Sequence, residues 1–200
     1  MENKSLFTTA KLTRIAMLAA IGSVLFLIEI PIVAFYKLDV SNLPVLLGSF
    51  SMGPMAGLMI LLIKSLVGLT HSTSGGVGEL ADFILGAVLM LPAVLLYQRH
   101  KTRKSALIGM GIGTVCMMIA GVLLNVYLLI PFYVTVMHFP MEAIIGMGTQ
   151  VIPSIDTLWE MMLLITAPFN LLKGLVLSLL TFVLYKHLSP LLHGRGRVRR

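Results

Sequence analysis

Five stretches of almost unbroken apolar sequence dominate the chain, at 15–35, 43–69, 80–97, 106–136 and 158–185. A membrane-spanning helix needs about 20 such residues, and each stretch has roughly that length or more. Three basic clusters punctuate them: Lys4, Lys11 and Arg14; Arg99, Lys101, Arg103 and Lys104; Lys186, Arg195, Arg197, Arg199 and Arg200. Clusters at the ends of apolar runs mark cytoplasmic loops, so all three are expected on the inner side.

An even number of crossings must then separate the first two clusters, yet only three apolar runs do, so one run crosses twice. The run at 43–69 carries Gly48, Gly53, Pro54 and Gly57 near its middle. Proline and glycine there predict a break at Met52 to Pro54. The two pieces are short for spanning, which implies tilt, local thinning or shelter by neighbouring helices. The expected fold is therefore an all-α integral membrane protein, one transmembrane domain over 1–200. It has six transmembrane helices, at about 12–35, 43–52, 54–70, 78–98, 105–134 and 158–187, and cytoplasmic N- and C-termini. The outer loops become 36–42, 70–78 and 138–157, and the short apolar patch at 141–147 is expected to form an interfacial helix or a lid.

Composition agrees: 58% hydrophobic and 12% charged residues, with a mean hydropathy of +0.98, against roughly 25% charged in soluble domains. The first run is too long for the apolar core of a signal peptide, about 7–15 residues. A net charge of +7 does not indicate nucleic acid, because the basic residues cap apolar runs and are not interleaved with aromatics over one surface. Cys116 stands alone in an apolar helix, which excludes a disulfide frame or a cysteine-based metal site.

Polar residues inside the apolar runs carry the functional signal. A lysine near the bilayer centre costs about 2.5–3.5 kcal/mol on insertion scales, so Lys64 and Lys173 require partners or a ligand. Asn170 and Lys173 are three residues apart on one helical face, just after the kink-prone Pro168. Asn125 lies about nine residues from the outer end of its helix and Asn170 about twelve, depths of roughly 14 and 18 Å at 1.5 Å per residue. Asn125, Asn170 and Lys173 therefore predict one pocket open to the outside, walled by Phe169, Tyr127 and leucines. Asparagines also serve as interhelical hydrogen-bond partners, but that role does not require the cation. Lys64 is expected to snorkel to the interface or to pair with Glu79 or Asp82.

In order and spacing, KLDVSNLP at 37–44, MGPMAG at 52–57, GGVGELADF at 75–83, LNVYLLIPFY at 124–133 and PFNLLKG at 168–174 resemble the substrate-binding S components of energy-coupling factor (ECF) transporters, in particular the riboflavin-binding type. The resemblance implies the six-helix S-component fold in a bacterial cytoplasmic membrane. It implies that residues like Asn125, Asn170 and Lys173 hold the isoalloxazine edge. It further implies that the first outer loop closes over the vitamin, with Leu38 and Asp39 toward the ribityl chain and Gly78 allowing close backbone approach. Riboflavin would be the transported substrate and no cofactor is implied. The pattern departs at Asn42, where an acid is usual, at Asp82, where asparagine is usual, and at Ser65 and Val126. In AMLAA at 16–20, the resemblance implies that Ala16 and Ala20 dock on a transmembrane coupling subunit; internal packing is the alternative.

No phosphate-cradling Gly-x-x-x-x-Gly-Lys-Ser/Thr occurs, so uphill uptake would need partners. The resemblance implies a coupling membrane subunit with two cytoplasmic ATPases. An S component for another vitamin and a solitary facilitator are the near alternatives. An intramembrane enzyme is the distant one, since His71, Glu79 and Asp82 match no common metal or acid–base spacing.

Overall fold

The computed structural model describes residues 8–33 and 36–192. Lys4, Phe35 and the basic residues Arg195, Arg197, Arg199 and Arg200 of the expected inner clusters lie outside the described residues. The helices are α1 (Thr9–Phe26), α2 (Asn42–Met52), α3 (Pro54–Gly68), α4 (Val77–His100), α5 (Arg103–Leu124), α6 (Ile130–Thr135), α7 (Met141–Thr149), α8 (Leu158–Met161) and α9 (Ala167–Leu192). A π-helical segment, Asn125–Leu129, fuses α5 to α6, and another, Met162–Thr166, fuses α8 to α9. Among the described residues, five continuous helices are long and apolar enough to cross a membrane, and α2 is a shorter apolar helix.

The break at Gly53 matches the expectation. Gly53 adopts φ 99°, a conformation other residues resist, and Pro54 then sits in the first turn of α3, where its missing N–H is harmless. How α2 tolerates its shortness is also clear, because every residue from Asn42 to Phe50 is buried. α1, α3, α4 and α9 all pack against it. Other boundaries follow local chemistry: Thr8 caps α1, and Thr102 with Ser105 forms a capping box at α5.

The first helix departs from the expected 12–35. It ends at Phe26, and β1 (Ile30–Val33) and β2 (Tyr36–Leu38) follow as an antiparallel hairpin pairing Ile30 with Leu38 and Pro31 with Lys37. Pro31 lacks the N–H that a helix interior needs, and the β-branched Ile28, Ile30 and Ile32 favour extended backbone. Those isoleucines are 59%, 57% and 45% exposed, so apolar character continued past the helix without marking it. Residues 141–147 do form a helix, as part of α7.

Two apolar clusters are stacked along the bundle. One contains Leu18, Leu46, Ile60, Leu89, Met117 and Leu177; the other contains Tyr36, Ile130, Ile144, Met162 and Phe169. Buried polar residues fall between them along the chain: Asn170 and Lys173 between Phe169 and Leu177, Asn125 between Met117 and Ile130, and Asp39, Ser41 and Asn42 between Tyr36 and Leu46.

Candidate functional site

Both π segments end two residues before a proline, Pro131 or Pro168. A proline removes one helical hydrogen bond and crowds the carbonyl four residues back, and a widened turn relieves both effects. The widened turns carry or adjoin Asn125, Thr166 and Asn170. Asn125 donates from Nδ2 to the Gly121 carbonyl (2.8 Å), and Asn170 from Nδ2 to the Thr166 carbonyl (2.9 Å). A Cβ at Gly121 would come 2.5 Å from Asn170 Nδ2, so the missing side chain lets α9 seat its carboxamide against α5, one turn from Asn125. The two asparagines thus lie about one helical turn apart along α5.

Lys173 is buried and does not stand alone. Its Nζ donates to Asp39 Oδ2 at 2.7 Å and lies 3.7 Å from Asp82 Oδ1. Lys64 is 0% exposed, so it does not snorkel. It pairs with Asp82 Oδ2 at 2.5 Å and donates to Ser41 Oγ (2.9 Å) and Asn42 Oδ1 (2.8 Å). Ser41 in turn donates from its backbone N–H (2.9 Å) and from its hydroxyl to Asp39 Oδ1. Two ammoniums and two carboxylates thus form one charge-balanced network, the arrangement that makes buried charge tolerable. Burial alone would push the Asp39 carboxyl up, but the Lys173 and Lys64 ammoniums, with hydrogen bonds from Lys173 and Ser41, hold it down at about 2.

Two of the four departures from the pattern that the resemblance implies meet here. Asn42 Nδ2 donates to Asp82 Oδ1 at 3.3 Å, and both side chains contact Lys64. The acid expected at 42 and the asparagine expected at 82 have exchanged places, and Lys64 keeps one carboxylate and one carboxamide.

The loop after α1 reaches into the site through two residues. Asp39 engages Lys173, and Tyr36 stacks on Phe169 with ring centroids 5.0 Å apart and donates its hydroxyl to Asn125 Oδ1 at 3.3 Å. Tyr36 also hydrogen-bonds Thr166. Burial pushes its phenol up, so it stays neutral and able to donate. Leu38 is half-buried and packs on the apolar cluster that contains Tyr36 and Phe169. Beside this cluster lies a cavity of about 290 Å³ lined by Ile130, Tyr133, Met137, Phe139, Ile144 and Met147.

Some expected roles do not match. Tyr127 is 70% exposed and faces away from the site; of the two aromatics expected as walls, only Phe169 is there, with Tyr36 beside it. The close approach at Gly78 comes from this chain: a Cβ would lie 2.6 Å from Ser74 Oγ, which accepts from the Gly78 N–H at 3.0 Å. Glu79 accepts from Ser72 (2.8 Å) and Ser74 (3.0 Å), and no cluster of three metal-binding side chains occurs among the described residues. Ala16 and Ala20 are exposed, while Ile15, Leu18 and Ala19 on the same helix are buried, so internal packing does not account for them. Tyr36, Thr166 and Gly121 were not singled out by sequence; the Leu-Ile-Pro131 and Thr-Ala-Pro168 contexts were the available signals.

Comparison with known proteins gives a consistent picture. The family model for the ECF transporter substrate-specific component matches residues 10–185. The riboflavin transporter RibU of Staphylococcus aureus (strain TCH60) is 33% identical over 96% of this chain and 93% of its own length. The riboflavin transporter FmnP of Bacillus subtilis (strain 168) is 28% identical over 90% of this chain and 92% of its own. A solved S component of a bacterial ECF transporter superposes with a TM-score of 0.70 at 33% identity, covering 92% of this chain and 97% of that one.

Proposed function

This chain belongs to the substrate-specific components of ECF transporters, and we propose that it is the riboflavin-binding subunit, capturing the vitamin outside and delivering it inward with an ATP-driven coupling module. It is a multi-pass bacterial membrane protein and a transport component, not an enzyme. The observation that carries the flavin assignment is the near full-length likeness to riboflavin transporters.

The site supplies fitting chemistry. The pyrimidine edge of a flavin presents carbonyl, N–H, carbonyl. Each asparagine spends one Nδ2 proton on its own helix, so the carboxamides offer Oδ1 as acceptor for the N–H and the second Nδ2 proton, beside Lys173, as donor to the carbonyls. The apolar cavity beside Ile130 and Ile144 suits the methylated ring. Leu38 and Asp39 on the first outer loop face the ribityl chain. For the ligand to engage Asn125 and Lys173, Tyr36 and Asp39 must yield, so the segment from β2 to α2 acts as the lid. Opening gives the ligand edge to Asn125 and Lys173 in place of Tyr36 and Asp39, while Lys173 keeps Asp82 and Asp39 keeps the Ser41 N–H.

The chain crosses the membrane six times, with α2 and α3 as two sheltered crossings and both termini cytoplasmic, as the basic clusters require. Ala16 and Ala20 form the contact with a transmembrane coupling subunit, and two cytoplasmic ATPases supply the work. Riboflavin is substrate, and no cofactor is needed for binding. Protein purified from flavin-containing medium should be yellow and should quench added riboflavin fluorescence at one site per chain. Colourless protein that fails to quench it would refute the assignment.

A further inference from the structure

Glu2 apart, every acidic residue of the chain lies at position 29, 39, 79, 82, 142, 156 or 160, away from the turn that joins α4 to α5. That turn holds Arg99, Lys101, Arg103 and Lys104 within six residues, and among the described residues none of them has a carboxylate partner. A cavity of about 440 Å³ opens beneath it, between α2, α4, α5 and α9. This exceeds the outer cavity, and its volume is within the range of small-molecule sites, about 300–1,000 Å³.

Two of the four cations, Lys101 and Arg103, line the cavity. The turn that carries them is fixed: Lys101 takes a left-handed conformation (φ 46°), its N–H donating to the Tyr97 carbonyl, and Thr102 closes a capping box with Ser105. The walls are apolar and aromatic. Phe50 meets Tyr97 edge-on at 5.3 Å and Tyr185 at 5.8 Å, and Met110 is buried behind Ala106. Leu107 and Ile108, next to Ala106, are 48% and 47% exposed, so the mouth meets the lipid-facing surface of α5.

We propose that this cavity binds one anionic phospholipid of the leaflet on this side, its phosphate held by Lys101 and Arg103 and the start of an acyl chain lying along Met110 and Phe182. Cations at the rim match the phosphate, and basic pockets between helices on the cytoplasmic side select anionic headgroups. Aromatic residues at this level suit the boundary between headgroup and chain. A soluble anion would leave the apolar wall without a partner. The inference requires only that the chain is embedded in a membrane; it is independent of the vitamin assigned to the outer site.

Native mass spectrometry of the full chain, offered phosphatidylglycerol and phosphatidylcholine with the same acyl chains, tests this. The expected result is one retained lipid, with phosphatidylglycerol favoured at least fivefold. Lys101→Asn with Arg103→Gln should bring the ratio within twofold, asparagine tolerating the left-handed conformation. Arg99→Gln with Lys104→Gln removes the same charge from the same turn outside the cavity and should keep the fivefold preference. Ala106→Trp, blocking the mouth, should lose the retained lipid, with an unchanged melting temperature as the check on folding. Equal loss in both double variants would overturn the proposal, as would displacement of the lipid by millimolar glycerol phosphate. So would a wild type that shows no lipid preference while the Lys101 and Arg103 variant loses coupling-subunit assembly, which would make the occupant a protein segment.

Discussion

Lys173 Nζ lies 2.7 Å from Asp39 Oδ2 across 134 residues of sequence, joining the last membrane helix to the loop after the first. Both side chains are buried, so removing either leaves a charge without its compensation, at a cost of about 3–5 kcal/mol. Lys173→Met and Asp39→Asn should each lower the thermal stability of the purified protein. The double variant should be more stable than the summed losses predict, by at least about 1 kcal/mol. Additive losses would show that the two charges do not depend on each other.

The exchanged pair at 42 and 82 predicts a rescue. Asp82→Asn alone leaves Lys64 and Lys173 sharing one fewer carboxylate, and Asn42→Asp alone adds a negative charge to a balanced network. Each should destabilise the fold by at least about 2 kcal/mol, in the range for disturbed buried charge. Asn42→Asp with Asp82→Asn should recover most of the wild-type melting temperature. A double variant as unstable as the worse single would refute the exchange.

Riboflavin affinity should be flat from pH 5 to pH 8. The Asp39 carboxyl is held at about 2, against an ordinary value of about 3.9. A depressed carboxyl contributes stability that is fully present above its unfolded value and is lost as pH falls through the folded one. The lid contact therefore fades only between about pH 4 and 2. Fluorescence titrations across the range check this, and an inflection between pH 5 and 7 would contradict it.

Ala16 and Ala20 lie on the exposed face of α1, away from the network. Ala16→Leu with Ala20→Leu should abolish vitamin uptake in cells that supply the coupling module, while purified protein keeps its riboflavin affinity within twofold. Loss of ligand binding would move these residues into the fold's own packing.

Much of this was legible in sequence because membrane helices are written in long apolar runs and buried polar residues stand out against them. Basic clusters forced the extra break, and Gly53-Pro54 located it. Asn125, Asn170 and Lys173 were visible for the same reason, since lipid does not tolerate them without partners. The hairpin was not visible, because Ile28, Ile30 and Ile32 are as apolar as a helix, and only Pro31 argued otherwise. Tyr36 escaped notice because a tyrosine in a loop is unremarkable until the loop folds over Phe169. Tyr127 misled because helical phase could not be read across a π segment, which rotates the residues that follow.

The most direct test is a riboflavin titration of the purified wild type beside Asn125→Leu, Asn170→Leu and Lys173→Met, followed by fluorescence quenching. Each variant should bind at least tenfold more weakly, a loss of about 1.4 kcal/mol or more, with one site per chain in the wild type. Unchanged affinity in all three would place the vitamin elsewhere and contradict the site described above.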